Sequence, residues 1–191
     1  MRNVVSKLVQ RLKDDANYQL DSKITIMSLT VIIWERFWQM IRGTYYKLRF
    51  NSSVGLVFVG KRVKIRNPQF IKTGRNLTVN DNVLIQALSR GGIQFGNNIK
   101  IGRFTIIECT GVMREIGEGL KIGDNSNFGA FNFIGVRGTV EIGNNVIIGP
   151  RVSIHAENHI FDNVDIPIRK QGTSRKGVQI ADNCWIGSGS I

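Results

Sequence analysis

Apolar residues followed by glycine recur every six residues near the middle of this chain, at Ile116-Gly117, Ile122-Gly123, Phe128-Gly129 and Ile134-Gly135. After a two-residue slip at Arg137 and Gly138 the beat resumes at Ile142-Gly143 and Ile148-Gly149, and runs through Ile154 to Ile160. A period of six fits neither the 3.6-residue turn of a helix nor the alternation of a half-buried strand. It is the mark of a β-helix, in which every six residues lay down one short strand and one corner. Weaker turns of the same kind pass through Ile65, Ile71, Leu77 and Val83, then Phe95, Ile101 and Ile107.

A prism-like coil needs an aliphatic side chain pointing inward at each sixth position, stacked on its equivalent one coil away. Two residues earlier a smaller side chain points the same way, because strand side chains alternate faces. Val140, Val146, Val152, Val178 and Cys184 stand at that second position. The pairs Asp81-Asn82, Asn97-Asn98, Asp124-Asn125, Asn144-Asn145 and Asp182-Asn183 fall where the chain must bend. Short polar side chains of this kind tolerate left-handed backbone and bond their own main chain. The expected fold is mainly β: a left-handed parallel β-helix of hexapeptide repeats over residues 59–191, preceded by a basic, amphipathic helical leader over residues 1–58.

Charge divides the chain in the same place. Residues 1–75 hold 15 Lys and Arg against four acidic residues, within a net charge of +12 for all 191 residues. The β-helix is therefore nearly neutral and the leader carries the basicity. Ile24 to Trp34 is an apolar run of eleven residues, too short to span a bilayer, which needs about 20. Beyond it Trp34, Phe37, Trp38, Ile41, Tyr45 and Leu48 follow helical spacing. One reading makes this a helix that packs on the open end of the β-helix or on a sister subunit. The other makes it an interfacial helix, with Trp and Tyr at headgroup depth and basic residues facing anionic lipid. The periodic core starts around Val59, so residues 1–50 are expected to be dispensable for its folding. Basic residues interleaved with bulky aliphatics, with no nucleic-acid module, argue against a nucleic-acid partner. Two cysteines, Cys109 and Cys184, make no disulfide framework. No apolar segment near the N-terminus reads as a secretory signal.

The interruption of the repeat carries the functional signal. From Phe161 to Gly177 the hexads are lost, and an excursion loop over residues 161–179 follows, with Pro167, Arg169, Lys170, Arg175 and Lys176 in it. Long loops inside compact folds are uncommon and often functional. Both histidines of the chain, His155 and His159, stand where this loop leaves the coil.

The run NHIFDNVDIPIRKQG, followed by GVQIADNCWIGSGSI, resembles the hexapeptide-repeat acyltransferases, in particular the sugar O-acetyltransferases of surface-polysaccharide synthesis. The resemblance covers about residues 60–191. It implies a left-handed parallel β-helix, a homotrimer, and acetyl-CoA meeting a sugar or lipid-linked sugar acceptor between adjacent subunits, with no metal. It also implies a histidine general base at the start of such a loop, which matches His159 better than His155. An imidazole with pKa near 6.5 suits removal of a proton from a sugar hydroxyl as it attacks the thioester. Asn158 and Glu157 are candidates to orient the base or the acceptor.

Trp185 lies between inward-pointing Cys184 and Ile186 and is expected to face outward. The resemblance places it, with Gly187, near a subunit interface or the pantetheine groove. Arg169, Lys170, Arg175 and Lys176 are candidates for the phosphates of CoA or for an anionic acceptor. Relatives of this kind continue for further coils, so a chain stopping at Ile191 is expected either to be a shortened form of a longer protein or to have that end covered by another subunit or segment. A cytoplasmic enzyme beside the inner face of the membrane fits both the leader and the resemblance. Two other functions stay open. A γ-carbonic-anhydrase-type metal enzyme shares the fold but needs three imidazoles around zinc; a non-catalytic structural β-helix needs none of this chemistry.

Overall fold

The structure, a computed structural model, describes residues 2–13 and 16–191. Two helices, α1 (Arg2–Lys13) and α2 (Ile26–Lys47), precede a parallel β-helix of stacked coils. Asp14 and Asp15 of the leader lie outside the described residues. The coil begins earlier than the hexad pattern suggests, with the strand Ser52–Ser53.

Each coil runs through three parallel sheets. Sheet one stacks Ser52–Ser53, Ile71–Thr73, Ile93–Phe95, Gly119–Ile122, Thr139–Ile142 and Val178–Ile180. Sheet two stacks Val57–Val59, Leu77–Val79, Lys100–Ile101, Asn127–Phe128, Ile147–Ile148 and Trp185–Ile186. Sheet three stacks Lys64–Arg66, Leu84–Gln86, Ile106–Glu108, Phe133–Gly135 and Ser153–His155. This is the architecture of the expected left-handed parallel β-helix. The inward hexad positions form one continuous core: Ile71, Leu77, Ile85, Ile101, Ile107, Ile122, Ile134 and Ile148 are all buried, as are Val140, Val146 and Val152. In the sixth coil Val178, Ile180, Cys184 and Ile186 are half-buried and pack on that core.

Two positions that share the beat are not part of the core. Ile116 and Ile160 are only half-buried, and each lies outside the strands of the coil. Ile116-Gly117 falls in an excursion and keeps the six-residue phase with Ile122 by coincidence of spacing.

The Asx corners behave as their chemistry requires. Asn82, Asn98, Asn125, Asn145 and Asn183, the second residue of each pair, all have positive φ. Between sheets one and two the last four of these build a ladder with Asn76, in which Asn76 donates to Asn98, Asn98 to Asn125, Asn125 to Asn145 and Asn145 to Asn183. The preceding residue accepts a backbone N–H from the coil before it: Asp182 Oδ1 receives the Asn144 N–H at 2.7 Å. That bond, with a second from the Asn144 side chain, holds the Asp182 carboxyl below its ordinary pKa.

Helix α2 is divided in its packing. Its C-terminal half covers the first coil. Arg42 donates to the carbonyls of Val59 and Gly60, Tyr46 to Val63 and Lys47 to Gly55, at 2.8 to 3.1 Å. Gly43 is buried against Val57, where a Cβ would collide with the Val57 carbonyl. Backbone groups at the edge of a sheet are thereby satisfied rather than left open to another chain. The N-terminal half is different: of its side chains only Leu29 is buried, while Met27 is 80% and Trp34 62% exposed. No helix among the described residues is long and apolar enough to cross a membrane.

Candidate functional site

The coils do not advance evenly. Ser52 pairs with Lys72, Ile71 with Ile93, Ile93 with Leu120, Leu120 with Val140 and Val140 with Val178, so successive coils advance by 20, 22, 27, 20 and 38 residues. The same offsets hold in sheets two and three, for example Ile85 to Ile107 and Ile134 to Ile154. Every extra residue therefore leaves at one corner, where sheet three passes to sheet one. The excursions at residues 87–92, 109–118 and 156–177 stack along that corner and enclose an open cleft of about 1410 Å³.

The excursions are tied to one another. Arg90 N–H donates to the Gly117 carbonyl and Gly91 N–H to Glu118, at 2.9 and 2.7 Å. The Thr110 hydroxyl bonds the Leu88 carbonyl and receives the Gly117 N–H. From the long excursion, Arg175 Nη2 reaches Glu115 Oε2 at 2.6 Å, and Arg137 Nη1 donates to the Glu115 carbonyl at 2.6 Å. Residues far apart in sequence thus form one wall.

Both histidines line the cleft. His155 ends the strand Ser153–His155, outward-facing in register with Gly135. Because Gly135 has no side chain, the neighbouring Phe133 ring lies close over it and meets His155 with ring centroids 5.3 Å apart. His159 is held differently. Asn158–His159 pairs antiparallel with Thr173–Ser174, Asn158 opposite Ser174 and His159 opposite Thr173. The next pair in that register is Glu157 and Arg175, joined by an ion pair at 2.8 Å, and Glu157 also receives Arg137 Nε at 3.2 Å. Burial pushes the Glu157 carboxyl up, but the hydrogen bonds and charges of Arg175 and Arg137 outweigh it and hold the group below the usual carboxylate range. With its side chain 19% exposed, Glu157 is a half-buried latch. The four-residue helix α3 (Ile168–Gln171) packs beside the same hairpin.

Of the residues singled out in the sequence, the fold gathers His155, Glu157, His159 and Arg175 at this cleft. Glu157 and Arg175 are engaged with each other there. Asn158 alternates with His159 along the strand and does not line the cleft, nor does Lys176. Trp185 faces outward as expected, 77% exposed. It lies on sheet two, the face of the prism opposite the histidine corner, and Gly187 follows it. Sequence reasoning missed Arg90, Arg114 and Phe133, which also line the cleft. Their signal was the slip in the repeat, repeated at each coil on the same side.

No model of a known protein family matches this chain, and no solved structure matches it. It is similar to a protein of Mycobacterium tuberculosis described as a probable acetyltransferase, with 26% identity over 157 residues. The matched region is 80% of this chain and 42% of that protein, so the chain spans less than half the length of the relative.

Proposed function

We propose that this protein transfers an acetyl group from acetyl-CoA to a sugar hydroxyl, with His159 as general base. The observation that carries the reading is that both histidines of the chain meet in one cleft, on a parallel β-helix with an acetyltransferase among its relatives. Together these fit the acyltransferase family, and the hexapeptide-repeat branch of it accords with the six-residue period.

The chemistry follows from the positions. His159 accepts the proton of the acceptor hydroxyl while the hydroxyl oxygen bonds the thioester carbonyl carbon. The resulting oxyanion needs preorganised donors. The C–S bond then breaks, and the thiolate of CoA recovers the proton from the imidazolium. Glu157 acts as a positioning residue, through the latch that fixes the hairpin. His155, beside the Phe133 ring, is the second candidate for the base.

Trp185, Gly187, Lys176 and Arg175 remain the candidates for contact with CoA. Trp185 sits across the prism from its own chain's histidines, which supports a homotrimer in which one subunit's tryptophan face meets a neighbour's cleft. A role in surface-polysaccharide synthesis rests on the motif resemblance. The exposed apolar half of α2 beside a strongly basic leader supports peripheral binding to an anionic membrane, on its cytoplasmic face. Three copies of such a basic segment would repel one another, which favours lipid over a sister subunit as what covers it.

The direct test is mass spectrometry of sugars and sugar nucleotides incubated with acetyl-CoA and the protein, alongside release of free CoA thiol. A product heavier by one acetyl group supports the reading. No transfer and no binding of acetyl-CoA by the intact trimer would leave a structural β-helix as the better description.

A further inference from the structure

The cleft carries more positive groups than its own carboxylates engage. Arg90 pairs with Glu118, while Arg137 and Arg175 are held by Glu157 and Glu115. Arg114, Arg169 and Lys170 line the same cleft, are exposed, and have no ion-pair partner among the described residues. The lining carboxylate outside these pairs is Glu108, in the same row of sheet three as Gly135 and His155. After internal pairing the cleft keeps an excess of positive charge, which a concave wall concentrates on whatever enters.

We infer that Arg114, Arg169 and Lys170 bind an anionic oxygen group, a phosphate or a carboxylate, carried by the acceptor. This rests on the acetyl-transfer reading and names the class of its second substrate. The order of groups along the prism assigns the anion to the acceptor rather than to CoA. Arg114 leaves the corner between the third and fourth coils, His155 ends the fifth, and Trp185 and Gly187 belong to the sixth. The Arg175–Glu115 ion pair draws the long excursion, with Arg169 and Lys170, back toward the level of Arg114. Arg114 therefore lies on the far side of His155 from Trp185 and Gly187, while Arg175, also a candidate for CoA, is engaged by Glu115 and Glu157. A threefold axis along the prism keeps that order, because equivalent coils of neighbouring copies then stand at the same height. Arginine gives bidentate hydrogen bonds to phosphate or carboxylate, and lysine adds a mobile point charge. A sugar with such a group near the hydroxyl to be acetylated would be held by its anion and oriented toward His159.

The test is calorimetric titration of the full-length protein with inorganic pyrophosphate and with glucuronate at constant ionic strength, each with and without saturating CoA. The wild type is expected to bind at least one of the two, and bound CoA is expected to leave that binding in place. Arg114→Ser combined with Lys170→Ser should weaken it by about tenfold or more, with CoA affinity changed by less than twofold. Arg169→Gln alone provides a second variant, also on an exposed side chain. Failure of both anions to bind the wild type would overturn the inference. So would displacement of the anion by CoA, or a parallel loss of CoA affinity in the variants, since both would assign these cations to the phosphates of CoA. Anion binding by a protein that binds no CoA would count against acetyl transfer and leave the anion site standing.

Discussion

Glu157 and Arg175 face each other across the hairpin that carries His159, with Oε2 and Nε 2.8 Å apart. The same arginine reaches Glu115 and the same carboxylate reaches Arg137, so a single latch joins two excursions and a coil corner. Among the described residues the imidazole of His159 has no ring contact like that of Phe133 with His155. Its placement depends on this latch.

Replacing Glu157 by Gln should lower turnover about 10- to 100-fold by misplacing the base, while the β-helix keeps its circular dichroism. The loss should fall on kcat more than on the KM for acetyl-CoA. The pH dependence follows from the lowered pKa of Glu157. A carboxyl depressed in the folded state contributes stability that is present above its unfolded pKa, about 4.3, and lost as pH falls through the folded value. Amides of residues 156–177 should therefore exchange slowly from neutral pH to about pH 4 and faster below it. In Glu157→Gln they should exchange fast throughout.

Helix α2 should separate into two functions under mutation. Trp34→Ala with Trp38→Ala removes exposed apolar surface, and should abolish co-sedimentation with phosphatidylglycerol vesicles without changing the melting temperature. Wild-type binding should weaken with added salt and be weak on phosphatidylcholine. Gly43→Val drives a side chain into the Val57 carbonyl, and should destabilise the protein by about 1–3 kcal/mol whatever the lipid. Deletion of residues 1–50 removes Arg42, Tyr46 and Lys47 with the cap they form. That deletion should therefore lower the melting temperature, whereas the start of the hexads alone suggests a core that folds without the leader.

The two cysteines should react unequally. Burial pushes the Cys109 thiol up to about 12, and its side chain is fully enclosed in the core. Cys184 is half-buried in the sixth coil. At pH 8 a thiol reagent should modify Cys184 in the native protein, and Cys109 only after denaturation. Fast modification of Cys109 would mean that the third coil opens far more readily than a packed β-helix allows.

The coil was legible because its core obeys a local rule. Residues such as Val140 and Ile142 repeat at fixed spacing, and each asparagine at a bend advertises a left-handed backbone. The rule fails at Ile116 and Ile160, where residues of an excursion happen to keep the phase. The histidines stood out by their position at the edge of the longest loop. The latch did not, because Glu115 and Arg175 lie 60 residues apart and nothing local marks either one. Arg114 was invisible for the same reason: only the stacking of unequal coils brings the shorter excursion beside the longer one. Closeness to His159 in sequence makes Glu157 a candidate to orient the base or the acceptor, and its closeness to two arginines in space favours the first of these.

The most direct measurement is release of CoA thiol from acetyl-CoA, in the presence of an acceptor that the wild type acetylates, for His159→Ala and His155→Ala side by side. Loss of a general base removes about 10²–10⁴ in rate. The expected result is a fall of that size in His159→Ala, with acetyl-CoA affinity nearly unchanged, and a smaller fall in His155→Ala. Wild-type turnover in His159→Ala, with the large loss in His155→Ala, would contradict the assignment and move the base to the imidazole beside Phe133.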